Sequence, residues 1–242
     1  MMTVHLDASF PPDTREDLKA VARDVLEVVR LRMGKEPPVS KPVVCYVRPE
    51  GPMTSVDTDE RTYRVGLSVT KRDYARMGYQ LGHELAHVMM DPRRTNGVME
   101  VVAVGLSLQV LDDMALRWRD LAPYPSWRPF ARTFSDYRVV VEEQSLAKMP
   151  REVGDAVRGR NWSSVAAFLR TRQRELLGDV EQRDLQHVAA ILLRSQEVPW
   201  AKLWGLGALT NPPPWQDKRY RSDLPLDARR SPDCLRRLGV IG

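Results

Sequence analysis

The spacing of apolar residues in the first part of the chain changes from a helical pattern to a strand-like one. Apolar positions recur at helical spacing from Leu18 to Val29, which predicts a first helix. The prolines before it place its start near Asp13 or Thr14, either of which is a suitable capping residue. Gly34 is expected to end this helix.

Two apolar runs further along the chain predict strands. Residues 42–47 form a β-branched run typical of a buried strand. Residues 62–69 alternate apolar and polar side chains, as a half-buried strand does. Residues 48–59 between them carry prolines and a glycine, so we expect an exposed loop there.

The helical pattern returns in residues 71–90, which contain no proline and carry an apolar stripe. This helix is expected to end at Asp91, because Pro92 disfavours the helical conformation of the residue before it. A short loop and a second long helix over residues 98–119 follow, with Glu100 in the first turn of that helix.

The second half of the chain is predicted to be mainly helical. Residues 121–135 are rich in proline and aromatic side chains and form a connector. Apolar stripes at helical spacing continue over residues 136–194, and the tail from Pro199 onward is expected to be irregular. We therefore predict an α+β protein with a core over residues 1–120. The helical region over residues 136–242 either stands apart or packs on that core as one domain.

Composition excludes several classes of function. The 242 residues are 43% hydrophobic, enough for a sizeable core, and no run is long and apolar enough for a membrane span. The net charge of +5 comes mostly from arginines scattered among apolar and acidic positions, so binding of nucleic acid is not expected. With two distant cysteines and no recognisable signal peptide, we expect a cytoplasmic protein without a disulfide framework.

Two of the four histidines lie within one short motif, His83-Glu84-Leu85-Ala86-His87. Histidines four residues apart share a helix face, with Cβ atoms about 5–6 Å apart. Both imidazoles can then reach one Zn²⁺ ion at about 2.0–2.1 Å. Glu84 directly follows the first histidine and is suited to accept a proton from a zinc-bound water. The motif therefore predicts a zinc site with His83 and His87 as ligands.

A catalytic zinc site usually has three protein ligands, so a third must come from elsewhere in the chain. Arg93 stands where a third histidine would extend the motif, which excludes that option. Glu100 is the favoured candidate, because the loop is long enough to fold the next helix back and zinc would offset the cost of burying its carboxylate. Its alternative role is that of a solvated partner of the helix N-terminus. The other candidates for the third ligand are Asp112, Asp113, Glu142, Glu143 and His187.

These residues resemble the gluzincin group of zinc peptidases, in particular its minigluzincin and ImmA/IrrE-like types. The resemblance rests on the motif at residues 83–87 and on Glu100-Val101-Val102-Ala103, and it covers roughly residues 13–120. It implies a zincin-like core made of an N-terminal helix, a small mixed sheet with an edge strand, the motif helix and a glutamate helix. It also implies a zinc metallopeptidase that cuts a protein or peptide substrate.

The implied mechanism assigns further roles. Glu84 would be the general base towards a zinc-activated water and then the general acid towards the leaving amine. The strand at residues 63–69 would bind an extended peptide at the edge of the cleft, where Gly66 either permits close approach or only forms a kink. Candidates for stabilising the oxyanion are Tyr124, Tyr137 and His187.

Two other functions stay open on the sequence. One is a regulatory or interaction module that keeps a zincin fold without turnover and binds a partner protein or nucleic acid through its arginine-rich second half. The other is hydrolysis of a substrate that is not a peptide, at the same site.

Overall fold

A computed structural model of the chain describes residues 2–34, 41–55, 61–90, 92, 95–178, 182–203 and 206. These residues form an α+β fold that is mostly helical, with one mixed sheet, which confirms the predicted fold class at that level. The strands are β1 (Val4–Leu6), β2 (Val43–Val47), β3 (Met53–Ser55) and β4 (Tyr63–Leu67). The helices are α1 (Pro12–Met33), α2 (Tyr74–Met90), α3 (Gly97–Leu121), α4 (Ala131–Leu146), α5 (Arg151–Arg158), α6 (Trp162–Thr171), α7 (Gln173–Gly178), α8 (Arg183–Arg194) and α9 (Trp200–Leu203), with a 3-10 helix at Pro125–Phe130.

The sheet has the strand order β1-β2-β4-β3. Strands β1 and β4 both run parallel to β2, and β3 runs antiparallel to β4. The pairing register places Leu6, Cys45, Val65 and Thr54 in one row across the sheet. Cys45 and Val65 are fully buried, so this row faces the helices that cover the sheet.

Two predictions about this sheet are wrong. Residues 48–59 include strand β3, whereas the sequence predicts an exposed loop there. A strand of three residues is too short to show the alternation by which strands are identified. Strand β4 lies inside the sheet, between β2 and β3, so it has no free edge for the predicted addition of a peptide strand. The sequence also gives no sign of β1, which is equally short.

Helix α1 begins at Pro12 without a side-chain cap, so the prediction of Asp13 or Thr14 as its cap is wrong. Proline suits the first helical position because its φ matches a helix and it has no N–H to satisfy. The predicted end at Gly34 is confirmed. This glycine adopts a left-handed φ of 66° and donates its N–H to the carbonyl of Arg30 at 2.8 Å.

The predicted helices over residues 71–90 and 98–119 are confirmed as α2 and α3. Helix α2 is buried on most of its surface, between the sheet, α1, α3 and α4. Gly82 lets α3 approach α2 closely, because a Cβ atom there would lie 3.3 Å from Val110 Cγ2 and 3.4 Å from Ser107 Cα. This close approach brings the start of α3 next to the motif.

The C-terminal helices pack on α3, which contacts both α4 and α8. A closed ring of ion pairs joins these three helices. Asp112 on α3 accepts hydrogen bonds from Arg138 on α4, at 2.8 Å, and from Arg194 on α8. Glu142 on α4 accepts from the same two arginines at 2.6 and 2.9 Å.

The segment from Pro199, predicted to be irregular, begins with the short helix α9, and residues 207–242 lie outside the described part of the chain. Within that described part, no helix is both long enough and apolar enough to cross a membrane.

Candidate metal centre

The two motif histidines lie one turn apart on α2, as their spacing predicts. Their Nε2 atoms are 3.1 Å apart and their ring centroids 4.8 Å apart. His87 is buried, whereas the side chain of His83 keeps 17% of its surface exposed. The pair therefore sits at the boundary between the core and solvent.

Glu100 reaches this pair from the first turn of α3. Asn96 caps that helix, because its side-chain oxygen accepts the N–H of Met99 at 3.0 Å and its carbonyl accepts the N–H of Glu100 at 3.0 Å. The cap fixes the first turn with Glu100 facing α2. Its Oε2 lies 3.3 Å from Nε2 of His83, and its Oε1 lies 3.4 Å from Nε2 of His87.

The three side chains lie close enough together to share one metal ion. His83, His87 and Glu100 form the one group of possible metal ligands found among the described residues. Ligand atoms about 2.0–2.1 Å from a tetrahedral zinc ion are about 3.3 Å from one another. The two Nε2 atoms, 3.1 Å apart, are close to that value, and each lies 3.3 or 3.4 Å from a different oxygen of Glu100. With one ligand atom taken from each residue, the three atoms lie within 4.8 Å of one another. Two imidazole nitrogens and a carboxylate also suit zinc chemically.

The charges around the site favour a cation. Burial by itself would lower the pKa of His87, but the charge of Glu100, its hydrogen bond and the charge of Glu84 raise that pKa to about 9. Burial raises the pKa of Glu100, and the two histidines more than offset this, so that its pKa lies well below the usual range. The two carboxylates thus make this buried position favourable for positive charge.

One feature of the site departs from a typical zinc centre. A ligating histidine usually donates its second ring N–H to an acceptor. The Nδ1 atom of His87 is buried and has no hydrogen-bond partner among the described residues. His87 is therefore held by its packing and by Glu100 rather than by a hydrogen bond from Nδ1.

Glu84 lies beside this cluster and is itself buried, with 3% of its surface exposed. The hydroxyl of Thr54 on β3 donates to its Oε2 at 2.7 Å. The sequence does not single out Thr54, because Thr54 lies in a segment that is predicted to be a loop. Only the pairing of β3 with β4 places its side chain towards α2.

The four acidic alternatives to Glu100 are all engaged elsewhere. Asp112 and Glu142 belong to the ion-pair ring. Asp113 accepts two hydrogen bonds of 2.6 Å from Arg32, and Glu143 pairs with Arg158 at 2.7 Å. Arginines that are scattered along the sequence thus neutralise these carboxylates. None of the four lies in the three-residue cluster.

His187 on α8 lies near the site but not in the cluster. Its Nδ1 is 2.6 Å from the carbonyl of Arg183, which can only accept, so Nδ1 carries the proton. Its Nε2, 2.7 Å from the hydroxyl of Tyr79, then accepts from that tyrosine. Burial is the largest cause of its lowered pKa. As a neutral ring with its N–H already engaged, His187 has no free donor for an oxyanion.

The two tyrosines proposed for the oxyanion differ in position. The ring centroid of Tyr137 lies 6.1 Å from that of Tyr79. Tyr79 is on α2, one helical turn before His83. Tyr124 packs on Trp127 and is 47% exposed, in the group of aromatic residues around the 3-10 helix. Among the described residues, no hydrogen bond selects either of them.

The role considered for Gly66, close approach of a substrate, is contradicted by its surroundings. A Cβ atom at Gly66 would lie 2.8 Å from Cδ of Arg48 and 3.2 Å from Cζ of Tyr46. The missing side chain therefore makes room for two side chains of the protein itself.

Comparisons of the chain with protein-family models, with curated proteins and with solved structures give no match. The likeness to gluzincins accordingly rests on the residues of the site. Arg93, which excludes a third histidine from the motif, lies outside the described residues.

Proposed function

We propose that this protein is a zinc-dependent metallopeptidase that hydrolyses peptide bonds in a protein or peptide substrate. The observation that carries the proposal is the cluster of His83, His87 and Glu100, with Glu84 near enough for its charge to raise the pKa of His87. The zincin-like character of the core belongs to the same proposal.

The ligand set supports a catalytic rather than a structural role for zinc. Structural zinc sites usually have four protein ligands, and catalytic sites have three and an open position. The cluster has three members, and the side chains of His83 and Glu100 are 17% and 16% exposed, so solvent reaches it. When bound, zinc would supply Lewis acidity and lower the pKa of water towards neutrality.

Glu84 is the residue that would move the proton. Its Oε2 is engaged by Thr54, which leaves the other carboxylate oxygen to face an attacking water. Glu84 would accept a proton from that water and pass it to the departing amine.

The position of β3 suggests where a peptide binds. Both sides of β4 are occupied, by β2 and by β3, so the peptide cannot add to β4 as the sequence predicts. Within the described residues β3 is the edge strand on the Glu84 side, and its backbone can pair with an extended peptide.

The test combines metal analysis with proteolysis. Purified wild-type protein and the Glu84→Gln variant are expected to bind one zinc per chain, and His83→Ala to bind little. Hydrolysis of labelled casein and of a mixed peptide library is expected from the wild type alone. Zinc bound to wild type with no cleavage of either would favour the silent regulatory module, and full activity in Glu84→Gln would refute the mechanism.

A further inference from the structure

We propose that Thr54 is a positioning residue of this site, whose hydroxyl holds the carboxylate of Glu84 in place from the edge strand β3. The effect of Thr54 on catalysis rests on the proposed function. The contact itself is independent of that function.

The place of Thr54 in the sheet is the first argument. In the row Leu6, Cys45, Val65 and Thr54, the first three side chains are apolar or thiol-bearing. Valine has nearly the same shape as threonine and suits a strand equally well. A hydroxyl at this position therefore contributes nothing that the packing of the sheet requires.

The contact with Glu84 is the second argument. The hydroxyl lies 2.7 Å from Oε2 of Glu84 and 3.4 Å from its backbone carbonyl. A hydroxyl has a single proton, and the shorter, charge-assisted bond to the carboxylate is the stronger of the two. In the described part of the chain, the hydrogen bond to this carboxylate comes from Thr54.

Burial of Glu84 makes this bond consequential. Glu84 is buried, and a buried ionised carboxylate needs a hydrogen bond or an opposite charge. The hydroxyl satisfies Oε2 and limits rotation of the carboxylate, so the second oxygen is held in one orientation. A general base is effective only while it is held within hydrogen-bond reach of the proton that it takes.

A double-mutant cycle on the metal-free protein tests the contact without using activity. Thr54→Val is expected to lower the melting temperature by about 3 °C in the wild-type background. In a Glu84→Leu background, where no carboxylate accepts the hydroxyl, the same change is expected to have little effect. Thr54→Ser, which keeps the hydroxyl, serves as the matched control and is expected to stay within about 1 °C of wild type. Equal losses in both backgrounds would overturn the proposal.

The catalytic part is tested with the peptide that the wild type cleaves best in the library. Thr54→Val is expected to lower kcat about tenfold with KM unchanged, and Thr54→Ser to restore kcat. Zinc content, measured in parallel, is expected to be the same in all three proteins. The positioning role would be overturned if the double-mutant cycle shows that Thr54 and Glu84 interact but Thr54→Val keeps the full kcat. Failure of the proposed function appears differently, as an absence of zinc or of cleavage in the wild type itself.

Discussion

Glu100 and His87 form a partly buried ion pair, with Oε1 of the carboxylate 3.4 Å from Nε2 of the ring. The two residues lie on different helices and meet because α3 folds back along α2. This pair links the protonation of the site to its capacity for a metal, since the proton and a zinc ion would occupy the same nitrogen.

Zinc binding is expected to release a proton. The pKa of His87 is raised to about 9, so at pH 7 the metal-free protein carries a proton that zinc must displace. Calorimetric titration in two buffers of different ionisation enthalpy measures this release and is expected to give about one proton per zinc at pH 7. Repeating it at pH 7 with Glu100→Gln, which lacks the charge that raises this pKa, supplies the control and should give a smaller release. No release at pH 7 would contradict the assigned ion pair.

The stability of the metal-free protein is expected to depend on this pair in a defined pH window. The pKa of His87 is higher in the folded state than the ordinary 6.5, so its contribution is complete below pH 6.5 and is lost as pH rises through about 9. The pKa of Glu100 is lowered, so its contribution is present above its ordinary value of 4.5 and is lost as pH falls. Urea unfolding at several pH values is the measurement. Glu100→Gln should flatten the loss on the alkaline side.

Removing the carboxylate ligand is expected to weaken zinc binding. Glu100→Gln should raise the Kd for zinc by on the order of 100-fold or more. Even mutation of residues that only hydrogen-bond to metal ligands changes the affinity for the metal by about 10–100-fold. Competition with a chromogenic chelator measures this. Glu143→Gln is the matched control, since Glu143 is exposed and pairs with Arg158. Equal affinities in the two variants would show that Glu100 is not a ligand.

The ion-pair ring is expected to stabilise the packing of the C-terminal helices. The side chains of Arg194 and Glu142 are only 13% and 17% exposed. Arg194→Met would remove one of the two arginine partners from both Glu142 and Asp112. We expect a loss of about 3 kcal/mol in the free energy of unfolding, measured with urea. Arg158→Met, which breaks an exposed pair, is the control and should leave stability unchanged.

His187 is expected to be neutral at pH 7, with its proton on Nδ1. Burial lowers its pKa below 6.5, so its contribution to stability is present above that pH and declines as pH falls. Nitrogen NMR of the imidazole distinguishes the two tautomers directly. Tyr79→Phe should change the Nε2 signal and leave Nδ1 protonated. A proton found on Nε2 would restore His187 as a donor towards a substrate.

Much of the candidate site could be predicted from local pattern. A helix carries residues four apart to the same face whatever surrounds it, so the placement of His83 and His87 follows from their spacing. Glu100 could be proposed because a short connection makes neighbouring helices antiparallel, and because a carboxylate among valines needs a partner. The engagement of the other acidic candidates could not be predicted, because each of them pairs with an arginine on another helix.

The sequence by itself thus determined the long helices, the two longer strands and the motif, since these depend on periodicity within one element. Tertiary structure alone decided the order of the strands, the place of β3 at the sheet edge and the meeting of Thr54 with Glu84. Strand pairing depends on contacts between distant segments, and a three-residue strand has too few side chains to display a period. The residue that faces the carboxylate of Glu84 therefore becomes visible only when the sheet is assembled against α2.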